Sequence, residues 1–156
     1  QIIGFLYPGD FFGIYKKGKY NYSAQAIGDI NVCEFKEDVL DQHMKENGKL
    51  SRELLNMTTN ELILAQDRIK VLGKLTATER MASFINNISK QRARIQWQDN
   101  PISLPMTRQD IADYLGLTIA TVSREITNLK TSLVIKMMST NQIYIKDKAK
   151  LAELAN

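Results

Sequence analysis

Thr107-Arg108-Gln109-Asp110-Ile111-Ala112-Asp113-Tyr114-Leu115-Gly116-Leu117-Thr118-Ile119-Ala120-Thr121-Val122-Ser123-Arg124, running on through Glu125-Ile126-Thr127, reads as helix, tight turn, helix. Thr107 and Thr118 each stand where a hydroxyl can accept from the free N–H groups of the helix that follows. Gly116 falls in the turn, where a left-handed backbone costs glycine little. Ile111, Ala112 and Leu115 on the first helix can face Val122, Ile126 and Leu129 on the second, and the small Ala112 lets the helices approach closely. The outer face of the second helix carries Thr121, Ser123 and Arg124 near its amino-terminal end. Such a helix fits the major groove of DNA, where Arg can donate two hydrogen bonds to guanine and Ser or Thr can bond bases or phosphates. Taken alone, Arg124 reads as a solvated surface charge. The ordered spacing of Ala112, Gly116, Val122 and Ile126 around it favours a base-reading role, over that and over a helical hairpin with no nucleic-acid role.

Working downstream, Leu133-Val134-Ile135-Lys136 and Gln142-Ile143-Tyr144-Ile145-Lys146 are β-type runs separated by Ser139-Thr140-Asn141, which predicts a hairpin. A hairpin directly behind a recognition helix is the wing of a winged helix, where Lys136 or Lys146 would touch phosphate. Asp147 leads into a short last helix with Leu151 and Leu154. Upstream, Thr76-Ala77-Thr78-Glu79 is a helix start, and Met81, Phe84, Ile85 and Ile88 follow at helical spacing. The polar stretch from Lys90 to Ser103, which carries Pro101, reads as containing a loop, with Trp97 simply packed there.

No Gly or Pro interrupts Leu50 to Leu72, which predicts a long helix that Gly73 ends. Leu55, Leu62 and Ile69 recur every seven residues, with Thr58, Ala65 and Leu72 offset by three. That narrow stripe suits a partner helix across a homodimer seam, the alternative being a helix packed on its own domain. Before it, the β-type runs Ile2 to Tyr7, Tyr22 to Ile27 and Asn31 to Phe35 are broken by Pro8-Gly9-Asp10, Lys17-Gly18-Lys19 and Gly28-Asp29. They predict part of an antiparallel β-structure whose earlier pairing partners lie outside the chain, so that an edge is left open. The chain opens Gln1-Ile2-Ile3-Gly4-Phe5 without an initiator Met and reads as a fragment.

Composition bounds the function. With 156 residues and 44% apolar content the chain has room for one ordinary domain or two small ones, and the two patterns favour two. A single cysteine, Cys33, leaves no internal disulfide and no second thiolate for a metal, and a reducing cytoplasmic compartment is expected. The net charge of +4 is unevenly spread: residues 1–73 hold nine Lys/Arg against ten Asp/Glu, and residues 74–156 twelve against seven. The second half is therefore the candidate polyanion binder. No apolar run is long enough to span a bilayer. No paired carboxylates, activated nucleophile or metal-ligand cluster suggests an enzyme, and the sole His43 sits among polar residues, as on a surface.

These residues resemble the Crp/Fnr family, and most closely its oxygen-sensing Fnr branch. The resemblance is carried by Gln1 to Phe5, Pro8-Gly9-Asp10, Ser23-Ala24-Gln25-Ala26, Val32-Cys33-Glu34, Glu79-Arg80 with Phe84-Ile85, and most strongly Thr107 to Arg124. It implies an α+β fold: a partial antiparallel β-roll of the cyclic-nucleotide-binding kind over residues 1–47, a dimerisation helix over 48–73, and a winged helix-turn-helix over 74–156. It places base contacts at Ile119, Ala120, Ser123 and Arg124 and phosphate contacts at Arg108, Gln109, Thr118 and Thr121. The implied partners are double-stranded DNA, a second copy meeting along Leu55, Leu62, Ala65, Ile69 and Leu72, and RNA polymerase, with activation as the outcome.

Three departures qualify the resemblance. Family members usually carry Glu where Ala120 stands, and alanine cannot accept from cytosine's amino group, so the half-site is relaxed or altered at that base pair. Members that bind cyclic AMP place an Arg where Tyr22 stands, which argues against that ligand. Cys33 falls where the Fnr branch has one of four cluster cysteines, the other three being in a preceding segment, so these residues alone complete no iron–sulfur cluster. Cys33 is either a cluster ligand in the full-length protein or a small buried apolar side chain. The expectation is a DNA-binding dimer responding to oxygen or redox state, and the competing one a regulator sensing haem or another small ligand without a cluster.

Overall fold

The computed structural model describes residues 1–13 and 19–155. The Lys17-Gly18 part of one expected turn lies outside the described residues. The chain divides into two compact units, Gln1–Pro8 with Ile69–Asn156 and Gly9–Arg68.

In the Gly9–Arg68 unit, α1 (Glu37–Glu46) opens with Glu37 and Asp38 and closes with His43 and Lys45, charges that oppose the helix dipole at both ends. Asn47 leaves the helical region, and its side-chain oxygen accepts from Lys49 N (3.1 Å) and Leu50 N (3.3 Å), which starts α2 (Gly48–Lys74). The expected long helix is present, and it runs past Gly73, where a Cβ would meet nothing. Its last residues, from Ile69, belong to the other unit. The β-type runs before α1 take a different course from the one expected: among the described residues 1–35 they form no ladder, only an isolated bridge at Lys19. Isolated β-type runs without a neighbour to pair their N–H and C=O groups have no reason to form strands, however suitable their side chains. Cys33 is exposed in consequence, which corrects the reading of it as a small core residue.

The other unit owns the core. Thr76 caps α3 (Ala77–Arg94) in a reciprocal box with Glu79, and Met81, Phe84, Ile85 and Ile88 are buried on one face. After α3 come β1 (Ile102–Ser103), α4 (Arg108–Leu115), α5 (Ile119–Thr131), β2 (Ile135–Ser139), β3 (Gln142–Ile145) and α6 (Lys148–Leu154). The three strands form an antiparallel sheet in the order β1-β3-β2. The predicted hairpin is β2–β3, with a register irregularity between Met137 and Ser139. Strand β1 lies in the stretch read as polar loop: a two-residue strand is too short to show periodicity, yet Ile102 and Leu104 are fully buried. The Asn100 amide extends this edge by donating to Ile145 O (3.0 Å) and accepting from Ile145 N (2.8 Å), as a backbone peptide would. Trp97, expected to pack, is 48% exposed, with the Arg92 guanidinium 5.2 Å from its ring. Phe5 from the amino-terminal segment of this unit packs its ring near Tyr114 (5.0 Å) and Phe84 (6.1 Å).

Candidate nucleic-acid interface

Helices α4 and α5 are set by local chemistry. The Thr107 hydroxyl accepts from Asp110 N (3.1 Å), and the Asp110 carboxylate accepts from Thr107 N and Oγ1 (both 2.7 Å). Gly116 closes α4 at φ 63°, ψ 40°, the left-handed region anticipated for it. Thr118 Oγ1 accepts from Thr121 N (3.1 Å) and starts α5. Ile111, Ala112 and Leu115 are buried, as are Val122, Ile126 and Leu129, so the two helices and the capping residues are placed as the spacing implied.

The outward residues differ in exposure and in their partners. Ile119, Ala120, Ser123 and Arg124 are exposed, and the Arg124 side chain retains 66% of its accessible surface. Thr118 and Thr121 share a hydrogen bond between hydroxyls at 2.9 Å. Gln109 donates to Asp113 along α4 (2.7 Å). Arg108 is half-buried and donates through Nη2 to Thr140 O (3.1 Å), tying the amino-terminal end of α4 to the tip of the hairpin; burial lowers its pKa. Lys136 and Lys146 are exposed on the hairpin. These residues lie on the helix-turn-helix and hairpin of one unit. By contrast Leu55, Leu62, Ala65 and Ile69 lie exposed along α2, and Leu72 is partly buried near its end.

Two residues of consequence escaped the sequence reading. Arg80 donates from Nε to Leu75 O (2.9 Å), from Nη1 to Leu115 O (3.1 Å) and from Nη2 to Leu72 O (2.9 Å). One guanidinium thus takes up carbonyls left at the ends of both α2 and α4. Only the pair Glu79-Arg80 within the resemblance signalled it. Glu125 is 4% exposed on α5 and accepts from Thr78 Oγ1 (2.7 Å), Asn128 Nδ2 (3.0 Å) and Arg124 Nε (3.3 Å). The Thr78 hydrogen bond, then those from Asn128 and Arg124 with the Arg124 charge, hold its pKa below the usual carboxylate value against the effect of burial. Its spacing, three residues after Val122 and four before Leu129, puts it on the buried face of α5, a signal the sequence reading did not use.

The residues present do not make an iron–sulfur site. Cys33 is the only cysteine of the chain, and among the described residues no group of three or more His, Cys, Asp or Glu could hold a metal. The Tyr22 hydroxyl, at the position where a phosphate-pairing Arg would stand, accepts from Gly13 N (3.3 Å). Among the described residues no helix is long and apolar enough to cross a membrane.

Residues 79–154 match the profile of the Crp-like helix-turn-helix domain. The chain is 38% identical over 155 residues to the nitrogen fixation regulation protein FixK of Bradyrhizobium diazoefficiens, covering 99% of the chain and 65% of that protein. It is 35% identical over 156 residues to FixK of Rhizobium meliloti, covering 100% of the chain and 69% of the relative. The solved structure of FixK2 from Bradyrhizobium japonicum superposes with a TM-score of 0.72 at 34% identity, over 78% of this chain and 60% of that one. The chain therefore spans about two-thirds of the length of such relatives, which are regulators of transcription and not enzymes. With the helix-turn-helix and its hairpin inside the matched residues 79–154, and 35% identity across 69% of a FixK relative, the chain belongs to the Crp/Fnr family of transcription regulators.

Proposed function

We propose that this chain docks α5 into the DNA major groove and that Arg124 reads a base edge there, within a transcription activator that binds a palindromic site as a homodimer. The observation that carries this is the exposed face of α5: Ile119, Ala120, Ser123 and Arg124 are exposed while every apolar inward position of the helix is buried. Thr118 and Thr121 at its amino-terminal end, with Gln109 and Arg108 on α4, are the phosphate-facing set, and Arg108 also steadies the wing. Ala120 offers only a methyl group, so the base pair opposite it is read by shape or by thymine methyl contact. The dimer forms along Leu55, Leu62, Ala65, Ile69 and Leu72, an assignment supported by heptad spacing and by the exposure of Leu55 (65%), Leu62 (58%) and Ile69 (71%) within one chain. In this arrangement residues 1–47 belong to the sensor part, 48–73 to the seam and 74–156 to the DNA-binding domain. Two recognition helices then enter successive major grooves about 34 Å apart, and the dimer presents a surface to RNA polymerase in the cytoplasm.

The signal is oxygen or redox state, which the likeness to the Fnr branch supports; the full-length protein should then bind DNA differently in air and under nitrogen. The alternative is a regulator of the same family that senses haem or another small ligand without a cluster. Arg124→Ala tests the docking. It should cost about 1–3 kcal/mol on a duplex enriched from a random pool by the wild-type chain, and much less on a scrambled duplex. Equal losses on both would remove the base-reading role.

A further inference from the structure

Glu125 is the one acidic side chain buried in the recognition helix, and its carboxylate carries an electrostatic burden twice over. A buried carboxylate must have its lost hydration replaced, and a negative charge on a helix that approaches phosphates opposes that approach. The replacement is complete on one oxygen: Oε2 accepts from Thr78 Oγ1 at 2.7 Å and from Asn128 Nδ2 at 3.0 Å. Thr78 sits in the first turn of α3, so the carboxylate is anchored to a second helix of the domain as well as to its own. The other oxygen, Oε1, accepts from Arg124 Nε at 3.3 Å. Among the described residues the Nη1 and Nη2 groups of Arg124 carry no protein hydrogen bond, and the side chain is otherwise solvent-exposed. An arginine held at Nε keeps its two Nη groups side by side, and that edge can still donate two parallel bonds to guanine O6 and N7.

We propose that Glu125 is a positioning residue for Arg124: braced by Thr78 and Asn128, it holds the guanidinium by Nε and presents the Nη edge to the base. The inference rests on the reading of Arg124 as the base contact. Ordering the long side chain before binding removes part of the entropy cost of ordering it on DNA. Glu125 therefore raises sequence preference while its charge lowers affinity for DNA in general.

Glu125→Gln separates this from a merely structural role. With Thr78 and Asn128 both donating to one oxygen, glutamine places its carbonyl there and turns its NH2 toward the Arg124 Nε–H, donor against donor. Binding of the full chain to the enriched and scrambled duplexes would be followed by fluorescence anisotropy. E125Q should weaken the enriched duplex about three- to tenfold, the effect of losing one ordinary hydrogen bond, and leave the scrambled duplex within about twofold. In the Arg124→Ala background E125Q should change nothing further on the enriched duplex. No effect of E125Q on the enriched duplex, or the same loss with and without Arg124, would overturn the proposal. Equal losses on both duplexes from Arg124→Ala alone would instead remove the base-reading premise, and the proposal with it. If Trp97 fluorescence shows E125Q unfolded, Thr78→Val carries the test: a loss on the enriched duplex that vanishes without Arg124 supports it, and any other pattern overturns it.

Discussion

Helices α2 and α3 follow one another in the chain and both carry apolar residues at helical spacing, yet α3 buries Met81, Ala82, Phe84, Ile85 and Ile88 whereas α2 buries none of its 27 residues. The residue types do not explain this, since large aliphatic side chains, isoleucine among them, stand on both helices. The difference is in what the rest of the chain brings to each. Helix α3 meets α4, α5, α6 and the small sheet, and together they close a core from Met81 to Leu151. Helix α2 carries Leu55, Leu62 and Ile69 at seven-residue intervals, with Met57, Ile63 and Leu64 exposed beside them, and the proposed partner helix would cover the seven-residue row. Apolar periodicity thus locates an apolar face, and the elements packed around it decide whether the chain buries it.

The sharpest way to break this comparison is to truncate a buried apolar residue of the core and to charge an exposed one of α2. Leu129→Ala, at a site 1% exposed, should lower the unfolding free energy of the DNA-binding unit by about 2–5 kcal/mol, read in urea from Trp97, the only tryptophan. Ile69→Glu, at a site 71% exposed, should leave that transition within about 0.5 kcal/mol while sedimentation shows monomers in place of dimers. An unchanged dimer would remove the seam, and a lost transition would show that α2 shares the core after all.

A smaller effect separates two helix ends inside the DNA-binding unit. Both α4 and α5 are closed by a left-handed residue, but at α4 it is Gly116 and at α5 it is Leu133, φ 60°. Leu133 N bonds Lys130 O (3.1 Å) and Val134 N bonds Leu129 O (3.0 Å), the double closure usual where glycine occupies this position. Leu133 is exposed, so it gains little from its side chain. Leu133→Gly should therefore stabilise the unit by about 0.5–1 kcal/mol, and Gly116→Ala should destabilise it by about 1 kcal/mol, each visible as a melting shift of a few degrees. A gain on introducing glycine at one helix end and a loss on removing it at the other would confirm that conformation, not contact, decides both.

The smallest effect is titration. Glu79, through the Thr76 backbone and hydroxyl, Glu125, first through Thr78, and Asp99, through Lys148, all have carboxyl pKa values lowered in the folded state. A lowered folded pKa means that the unfolded chain takes up protons first. Their contribution is therefore fully present above the ordinary carboxylate range and is lost as pH falls through the folded values. The urea midpoint followed by Trp97 should accordingly fall between pH 6 and pH 3; a midpoint that rises would contradict the hydrogen bonds that cause the shifts.

The helix-turn-helix was legible because its determinants are local: a capping threonine, a glycine one residue past a helix and apolar residues three and four apart act within a turn or two of chain. The hairpin and the long helix were legible for the same reason. Strand β1 was not, because two residues carry no period and Ile102 finds its strand partner, Ile143, far along the chain. Nor were the roles of Arg80 and Glu125, since each depends on carbonyls or hydroxyls that tertiary folding brings from 35 or 47 residues away. The β-type runs before α1 mark the opposite failure: their residues suit strands, but a strand exists only with a neighbour to bond. By itself the sequence determined which segments are helical, where they stop and which face of α5 is left polar. The tertiary structure decided which polar groups are buried, and how Arg124 is held, because a charge is placed by its partners and not by its spacing.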